Sequence, residues 1–403
     1  MVHEKESQPW LPYKLGDLAD LVNGRGFKST EWSAEGLPII RISNLNGDRD
    51  FNCYNGDFDE KHRVVQGDLL FSWSGNRGTS FGPVIWRGIE GLLNQHIFKI
   101  IIKKKVDQQY LFYELKRLTQ KIENSAHGGS GLVHVKKSDL EQLQILLPPV
   151  YEQQKVTEIL SSVDEALEKT EAIIKQTETL KKGLMQQLLT KGIGHTEFKQ
   201  TEIGESPVSW DLCRLGEISS ITMGQSPKGD SYNNERLGSP LLNGPTEFGE
   251  IYPTPVQWTN SPTKICKAED ILVCVRGSST GRMNISNDAY CIGRGLAAIT
   301  ADEAKCTQTF IKYHVKRLST EILNRATGST FPNIDKARLS NLLVPLPGIK
   351  EQEEITKVLD KVEEKQQLEK QKYQVLQNLK KSLMQTLLTG KVRVNVNHSE
   401  VLL

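Results

Sequence analysis

The sequence contains no long apolar segment. None of its apolar runs approaches the ~18 residues that a membrane-spanning helix requires, and the first residues, MVHEKESQPW, lack the apolar segment of a signal peptide. Cysteine is also sparse. The six cysteines form no C-x-x-C pair, so neither a zinc site nor a disulfide framework is indicated. These absences predict a cytoplasmic protein with reduced thiols.

An excess of charge of one sign is absent as well. The 51 basic and 49 acidic side chains give a formal net charge of +2. A uniformly basic surface is therefore excluded, and any binding of nucleic acid must come from local clusters of basic residues.

Catalytic motifs are missing too. A P-loop needs glycine before its lysine, but GRGFKST has Phe27 at that position. We find no G-x-G-x-x-G after a strand, no Asn/Asp-Pro-Pro-Tyr/Phe stretch of the amino-methyltransferase type and no H-E-x-x-H, and the DEAL at 164–167 lies on a helix surface. The sequence predicts a chain without its own active site, metal or bound cofactor.

One long helix is the clearest feature that is present. From Tyr151 to Thr190 no proline occurs, and no glycine occurs before Gly183. Apolar and small residues recur at steps of three and four, which is the spacing of a helix with one buried seam: Val156, Ile159, Val163, Ala166, Thr170, Ile173, Thr177, Leu180 and Leu184. Forty residues at about 1.5 Å each predict a helix of roughly 60 Å.

The chain repeats itself at an offset of 199 residues (351 − 152 = 199). LKKGLMQQLLT from Leu180 aligns with LKKSLMQTLLT from Leu379, and Glu152-Gln153 aligns with Glu351-Gln352, without a gap. The second helix is predicted over 350–389. Its stripe is weaker in the middle, so either the seam there is polar or the register shifts toward Leu368 and Tyr373.

The remaining sequence predicts two β-rich domains. Short runs with β-branched and aromatic residues, separated by Gly, Asn and Asp, are typical of strands. We place the domains at 1–149 and 210–348, the long helices at 150–192 and 349–391, a linker at 193–209 and a tail at 392–403. The expected fold class is α+β, with two domains related by a pseudo-twofold axis and separated by two antiparallel coiled-coil helices.

Polar and basic residues cluster on the Gly-rich loops of both domains. Arg can pair with guanine and Asn or Gln with adenine, while glycine lets the backbone approach phosphate. The DNA-binding candidates of the first domain are Asn23, Arg25, Lys28, Arg41, Asn44, Asn76, Arg77, Asn94, Gln95, His96, Ser130, His134 and Lys136. Those of the second are Gln225, Lys228, Asn243, Arg276, Arg282, Arg294, Ser329, Asn333 and Lys336.

Other interpretations of these residues stay open. Each can be a solvated turn residue, and Asn94, Gln95 and His96 can form a buried corner. Two other functions also fit the sequence: a methyltransferase or nuclease with an unrecognised site, and a coiled-coil scaffold whose β-rich ends bind proteins. The low net charge favours the scaffold.

The whole chain resembles the specificity subunit of type I restriction-modification enzymes. The resemblance lies in NGRGFKSTEW…GLPIIRISNL, in GDLLFSWSG…NQHIFKI, in the LPP…EQQKV and LPG…EQEEI starts of the two helices, and in their LKKxLMQ…LLT ends. It implies two target-recognition domains, each recognising one half of an asymmetric double-stranded DNA target, and antiparallel helices that set the spacer between the halves.

The resemblance also implies partners and their cofactors. Two modification (methyltransferase) subunits would bind the helices and methylate adenine with S-adenosylmethionine, and restriction subunits, which use ATP and Mg, would translocate and cleave DNA. Neither cofactor would be bound by this chain.

Overall fold

The computed structural model describes residues 9–125, 132–328 and 332–394. The chain forms two compact units, 1–170 with 371–403 and 171–370. Each unit contains one β-rich domain and part of both long helices. No helix in the described ranges is long and apolar enough to cross a membrane.

The first unit consists of short strands and four helices that precede the first long helix. Its elements are β1 Leu11–Lys14, α1 Leu15–Leu18, β2 Ala19–Asn23, β3 Leu37–Ile40, α2 Ile42–Leu45, β4 Cys53–Tyr54, β5 Arg63–Val64, β6 Leu69–Ser72, β7 Ser74–Asn76, β8 Gly82–Ile85, β9 Gly91–Leu93, β10 Ile97–Ile102, α3 Gln108–Ser125, β11 Leu132–His134, α4 Lys137–Glu141, β12 Gln144–Leu147 and the long helix α5 Val150–Lys191.

Two four-stranded sheets form the body of this domain. One has the order β2-β10-β6-β8 and is antiparallel, and the other has the order β4-β3-β9-β5 with β3 and β9 parallel. Strand β6 lies between two cores, since Leu69 and Phe71 pack with α3 while Leu70 packs with Ile40 and Leu93. Successive side chains of a strand point to opposite faces of the sheet, so this one strand contributes to both cores.

The second unit repeats this arrangement. Its elements are β13 Phe198–Thr201, β14 Gly204–Pro207, β15 Asp211–Arg214, α6 Leu215–Ile218, β16 Ser219–Met223, β17 Tyr232–Asn233, β18 Ser239–Leu242, β19 Gln257–Thr259, β20 Ile265–Cys266, β21 Ile271–Cys274, β22 Met283–Ile285, β23 Tyr290–Ile292, β24 Leu296–Ala301, α7 Gln308–Arg317, α8 Ser319–Arg325, α9 Lys336–Ser340, β25 Leu343–Leu346 and the long helix α10 Ile349–Leu387.

The two main sheets correspond, except that one of them has an additional strand in the second unit. The order β16-β24-β21-β22 matches that of the first antiparallel sheet, and the five-stranded sheet β17-β19-β18-β23-β20 again contains one parallel pair, β18 with β23. One element was not expected: β13 and β14 form a hairpin within 193–209, which the sequence had predicted to be a linker.

Both long helices occur where the sequence predicts them, at Val150–Lys191 and Ile349–Leu387. Their shared Glu-Gln start has a structural reason. Gln153 donates to the Pro148 carbonyl at 2.8 Å and accepts the Asp107 amide at 2.8 Å. Gln352 makes the equivalent bonds, to the Pro347 carbonyl at 2.9 Å and from the Thr307 amide at 2.9 Å. Each glutamine thus fixes the start of a long helix to the domain that precedes it.

The adjacent glutamates fix the first strand of each domain. Glu152 accepts the Trp10 indole N–H at 3.1 Å and binds Arg393 at 2.7 Å. Glu351 accepts the Trp210 indole N–H at 3.0 Å and contacts the His195 imidazole at 2.7 Å. In each unit the repeated glutamate therefore binds a tryptophan directly before a strand, Trp10 before β1 and Trp210 before β15.

The two helices are antiparallel in both units. In the first, Asp164 of α5 pairs with Lys380 of α10, and in the second, Lys181 pairs with Glu363. The predicted seam is buried at Val156, Val163, Thr170 and Thr177.

The end of the predicted seam is wrong. Leu180 is 54% exposed, and Lys181 takes the buried position at 5%. Of the two alternatives for the second helix, the shift toward Leu368 is also wrong, since that side chain is 59% exposed. The seam of α10 is polar where it carries Glu363 and Gln366, both partly buried.

Candidate nucleic-acid interface

Loops from four strands of the first unit meet around Trp73. Its indole N–H donates to the Asn23 side chain at 2.9 Å, and its ring centroid lies 4.8 Å from that of His96 and 6.3 Å from that of His134. We call these four residues the Trp73 cluster. Although Trp73 lies in the SWSGNRG stretch, it was not among the predicted site residues. An aromatic residue between two serines in a Gly-rich loop is the signal that could have identified it.

The neighbouring loop continues this surface. The Arg25 amide donates to the Leu93 carbonyl and the Gln95 amide to the Arg25 carbonyl, both at 2.9 Å. A side chain at Gly24 would overlap the Asn94 backbone, so only glycine permits this close approach. Asn94 is half-buried and Gln95 exposed.

His96 has a backbone φ of 73°. For a residue with a side chain this left-handed conformation costs about 1–2 kcal/mol, and such strain is concentrated at functional sites. Its Nδ1 is buried without a partner in the described part of the chain. The predicted corner at Asn94, Gln95 and His96 thus presents Gln95 to solvent and holds His96 against Trp73.

Two arginines of this surface are stacked on aromatic rings. The Arg25 guanidinium lies 4.9 Å from the Phe27 ring and 4.7 Å from the Tyr54 ring, and it pairs with Glu31. Arg41 lies 4.5 Å from the Trp32 ring. Stacking orients a guanidinium plane and leaves its edge for polar partners such as bases or phosphates; Arg25 uses Nη2 of this edge on Glu31. Four further candidates of this unit are exposed: Lys28, Asn76, Arg77 and Lys136.

Asn44 does not fit the predicted role. It is buried, its Oδ1 accepts the Arg41 amide at 2.9 Å, and its Nδ2 donates to the Asp48 and Asp50 carbonyls at 3.2 and 3.0 Å. Because the side-chain amide is used on both sides, Asn44 holds the loop that carries Arg41 and has no free group for DNA.

Equivalent loops of the second unit also meet. The Gln225 amide donates to the Ile292 carbonyl at 2.9 Å, and the Arg294 amide donates to Ser226 Oγ at 3.2 Å. Asn243 donates to the Gln257 side chain at 3.3 Å. Most candidates of this unit are exposed: Gln225, Lys228, Arg276, Arg282, Arg294 and Lys336.

The Arg282 guanidinium lies 5.9 Å from the Phe248 ring. The Arg276 backbone forms an isolated bridge with Asn333, and Asn333 is half-buried.

Backbone hydrogen bonds align the two sites residue by residue. Trp73 donates its amide to the His96 carbonyl at 3.0 Å and accepts the Val135 amide at 3.1 Å. Val275 makes the same two bonds, to Gly295 at 2.9 Å and from Ile334 at 3.0 Å.

The chemistry at aligned positions differs. Where the first unit has Trp73 and His96, the second has a buried Val275 and Gly295. Where the first has Gln95, the second has Arg294. At these aligned positions one scaffold thus presents aromatic side chains in the first unit and an arginine in the second.

Four candidates lie in the loops before the long helices. Ser130 and Ser329 lie outside the described residues. Lys136 and Lys336 occupy similar places in the two repeats but are not equivalent: Lys136 precedes α4 as its N-cap residue, whereas Lys336 is the first residue of α9 and Asp335 is the N-cap. The repeat offset of 199 residues aligns Lys336 with Lys137 and Asp335 with Lys136. The two predicted lysines therefore differ by one position in the repeat.

The comparisons with known proteins agree with this architecture. Residues 7–179 and 207–378 match the family model of the type I restriction modification DNA specificity domain. A protein of Methanocaldococcus jannaschii named as the MjaX specificity subunit of a type I restriction enzyme is 33% identical over 403 residues, covering 96% of this chain and 94% of its own. The EcoBI specificity subunit of Escherichia coli is 23% identical, covering 88% of this chain and 79% of its own.

Solved structures share the fold. A chain from a type I R-M system, described for its complex assembly and conformational transition, matches with a TM-score of 0.62 at 23% identity, over 95% of this chain and 99% of its own. The S subunit of the M. genitalium type I system matches with a TM-score of 0.61 at 17% identity, over 98% and 99%. The resemblance predicted from the sequence is thus confirmed, and the chain belongs to the family of non-catalytic specificity subunits of type I restriction-modification enzymes.

Proposed function

We propose that this chain recognises a bipartite, asymmetric double-stranded DNA target, with one half bound by each domain and the spacer set by the two long helices. The observation that carries the proposal is the alignment of two loop surfaces on one scaffold with different side chains. Identical surfaces would favour a symmetric target, whereas Trp73 and His96 against Val275 and Gly295 favour two different half-sites.

The partners and cofactors are part of the same proposal. The chain directs adenine methylation and restriction by its partner subunits in the cytoplasm. S-adenosylmethionine is bound by the methyltransferase subunits, and ATP and Mg are bound by the restriction subunits.

Exposed leucines at repeated positions support two copies of one methyltransferase partner. Leu180 in the second unit is 54% exposed and Leu379 in the first is 45% exposed, although both lie in nearly identical LKKxLMQ segments. A leucine that is exposed in both repeats does not contribute to the buried seam. Contact with the same partner protein at both positions would explain why both repeats have leucine there.

Domain exchange tests the recognition part of the proposal. The chain with 10–147 replaced by the matching domain of a relative is expressed with its methyltransferase partner, and methylated adenines are mapped across the genome. One half of the methylated motif should change while the other half and the spacer stay. A change of both halves would contradict one domain per half-site.

A matched pair of variants tests the aligned positions. We expect Arg294→Gln to relax one base position in the second half-site, since a bidentate Arg–guanine contact contributes about 1–3 kcal/mol of discrimination. Gln95→Arg at the aligned position should alter only the first half-site. If Arg294 contacts phosphate instead, binding weakens for all sequences alike and its salt dependence falls.

A second pair tests the partner surface. Leu180→Asp and Leu379→Asp should each remove one methyltransferase subunit from the copurified complex. Leu368→Asp serves as the control, since Leu368 is equally exposed but aligns with Lys169 in the other repeat. Equal loss with all three variants would argue against a repeated docking position.

A further inference from the structure

Side chains from three helices meet in the first unit. Tyr113 of α3 is buried and donates its hydroxyl to Asp164 Oδ2 of α5 at 2.8 Å. Lys380 of α10 forms an ion pair with the other carboxylate oxygen, and its ammonium lies 5.6 Å from the centre of the Tyr113 ring. Both charged side chains are largely buried, at 13% and 26% exposure. A domain helix and both long helices are thus joined at one point.

The second unit has the same constellation. Tyr313 of α7 is buried and donates to Asp360 Oδ1 at 2.6 Å, with Glu363 Oε2 of α10 at 3.0 Å. Lys181 of α5 pairs with Glu363, and Lys316 reaches the same carboxylate at 2.9 Å. Burial alone would raise the pKa of Glu363, but Lys316 and Lys181 outweigh it and hold that pKa well below its ordinary value. The carboxylate is therefore ionised at neutral pH.

The two constellations correspond by sequence position. Glu363 follows Asp164, and Lys380 follows Lys181, by the repeat offset (363 − 164 = 199 and 380 − 181 = 199). The contacts are exchanged, because the lysine of one repeat pairs with the carboxylate of the other.

A slip of the helices breaks these contacts. One helical turn corresponds to about 5.4 Å, so each residue would face a position about four residues away. In one direction Lys380 moves from Asp164 to Leu160, and Lys181 moves from Glu363 to Leu359. Both leucines are buried, and a buried ammonium without a counter-ion is strongly unfavourable.

The opposite slip is unfavourable for the carboxylates. Asp164 would face Met384, and Glu363 would face Met185. The leucines and methionines one turn away from the ion pairs therefore make a slip in either direction unfavourable. In the native register the same side chains pack against apolar neighbours. Buried polar residues that fix register at some cost in stability are known from coiled coils.

We propose that Tyr113–Asp164–Lys380 and Tyr313–Glu363–Lys181 are two clamps that fix the axial register of α5 against α10, and that they thereby determine which DNA spacer length the protein accepts. This inference rests on the proposed function. A slip of one turn moves about 5.4 Å along the helices, against about 3.4 Å per base pair along DNA. Loss of the clamps should therefore extend the accepted spacers by about one to two base pairs.

The test uses a DNA library with both half-sites fixed and the spacer varied in single base pairs. The full chain with its methyltransferase partner and S-adenosylmethionine methylates this library. The variant carries Asp164→Asn, Lys380→Met, Glu363→Gln and Lys181→Met, which removes both partners of each ion pair. Lys316 also loses the Glu363 carboxylate, but its side chain is 42% exposed and can be solvated. Wild type should methylate one spacer length, and the variant should also methylate lengths one or two base pairs away. A folded variant with wild-type spacer selectivity would overturn the proposal.

A rescue pair covers the case in which the fourfold variant does not fold. Lys380→Glu places two carboxylates together and should broaden the spacer selection, and adding Asp164→Lys should restore it. If the second change restores nothing, the pair does not set the register.

Disulfide trapping separates failure of the clamps from failure of the proposed function. The Asp164–Lys380 pair places position 160 opposite position 384 in the native register (164 + 380 = 160 + 384), and both residues belong to one core. We therefore place cysteines at Leu160 and Met384 for the native register, and at Leu160 and Leu388 for a slip of one turn. Each cysteine pair is introduced into the otherwise unchanged chain and into the fourfold variant, without DNA or partner subunits. The otherwise unchanged chain should form only the 160–384 disulfide, and the fourfold variant should form both the 160–384 and the 160–388 disulfide, as identified by peptide mass mapping. Trapping of the native pair alone in both proteins would refute the clamps even if no DNA were methylated.

Discussion

Replacing His314 by glutamate should stabilise the second unit. The His314 side chain is fully buried, and both its ring nitrogens lack hydrogen-bond partners in the described part of the chain, as do Nε and Nη2 of Arg317. The first unit has Glu114 at the aligned position. There Arg117 donates from Nε and Nη2 to Glu114 at 2.8 and 2.6 Å. His314→Glu would give Arg317 the partner that Arg117 already has.

The expected gain has two parts. Unsatisfied buried donors cost about 1–3 kcal/mol, so we expect about 2 kcal/mol at pH 7.5. The second part depends on pH: burial, with a smaller effect of Arg317, holds the pKa of His314 well below 6.5.

His314 therefore stays neutral in the folded state, whereas in the unfolded state it binds a proton below pH 6.5. The wild-type free energy of unfolding is unaffected by this residue above pH 6.5 and falls by about 1.4 kcal/mol between pH 7.5 and 5.5. His314→Glu lacks this loss, so the difference in free energy of unfolding between variant and wild type should grow to about 3.4 kcal/mol at pH 5.5.

Hydrogen exchange of the amides in α7 at the two pH values measures this difference for the second unit alone, and calorimetry of the full chain gives the global effect. Glu114→His in the first unit is the matched control. It should destabilise that unit by about 1–3 kcal/mol at pH 7.5, since it takes from Arg117 the partner that Arg317 lacks in the described part of the chain. A variant His314→Glu that is less stable than wild type, or a gain that does not depend on pH, would refute the reasoning.

Three further predictions concern the scaffold. Gly183→Ala should raise the free energy of unfolding by about 0.5–1 kcal/mol, because the added methyl group meets no atom within 4 Å inside α5; a urea titration measures it. Gly24→Ala should destabilise the first unit, since its methyl group would overlap the Asn94 backbone, and unchanged unfolding would disprove the close approach. Glu152→Ala removes the buried carboxylate that binds Arg393 and the Trp10 indole and should cost about 3–5 kcal/mol in the same titration, whereas loss of an exposed pair would cost less than 1 kcal/mol.

The long helices show how far a sequence pattern reaches. The absence of proline and the repeated Glu-Gln starts predicted both helices, the first to within one residue at each end and the second with its start exact and its end four residues too late (391 against Leu387). The seam was predicted correctly at Val156, Val163, Thr170 and Thr177. At the alternate positions the step is four residues and not three, since Leu160 is buried beside a half-buried Ile159 and Lys181 is buried in place of Leu180. Leu160 and Lys181 are three heptads apart (181 − 160 = 21), so the heptad repeat holds over this length, and Glu363 provides the counter-ion of Lys181.

The site shows the limit of composition. Arg25, Arg41 and Asn44 look alike as polar residues of Gly-rich loops. Only the folded chain stacks the two arginines on aromatic rings and buries Asn44 in the loop beneath them. The fold also brings Trp73 together with His96 and His134, which lie in distant parts of the sequence.

The sequence by itself determined the duplication, the two β-rich domains, the two long helices and the family, because each depends on local spacing or on identity between repeats. The tertiary structure decided which side chains face solvent, which lysine enters the seam and which aromatic residue lies at the centre of the first candidate interface. These properties depend on contacts between residues far apart in the chain, and burial and counter-charges at such contacts are set only when the units fold.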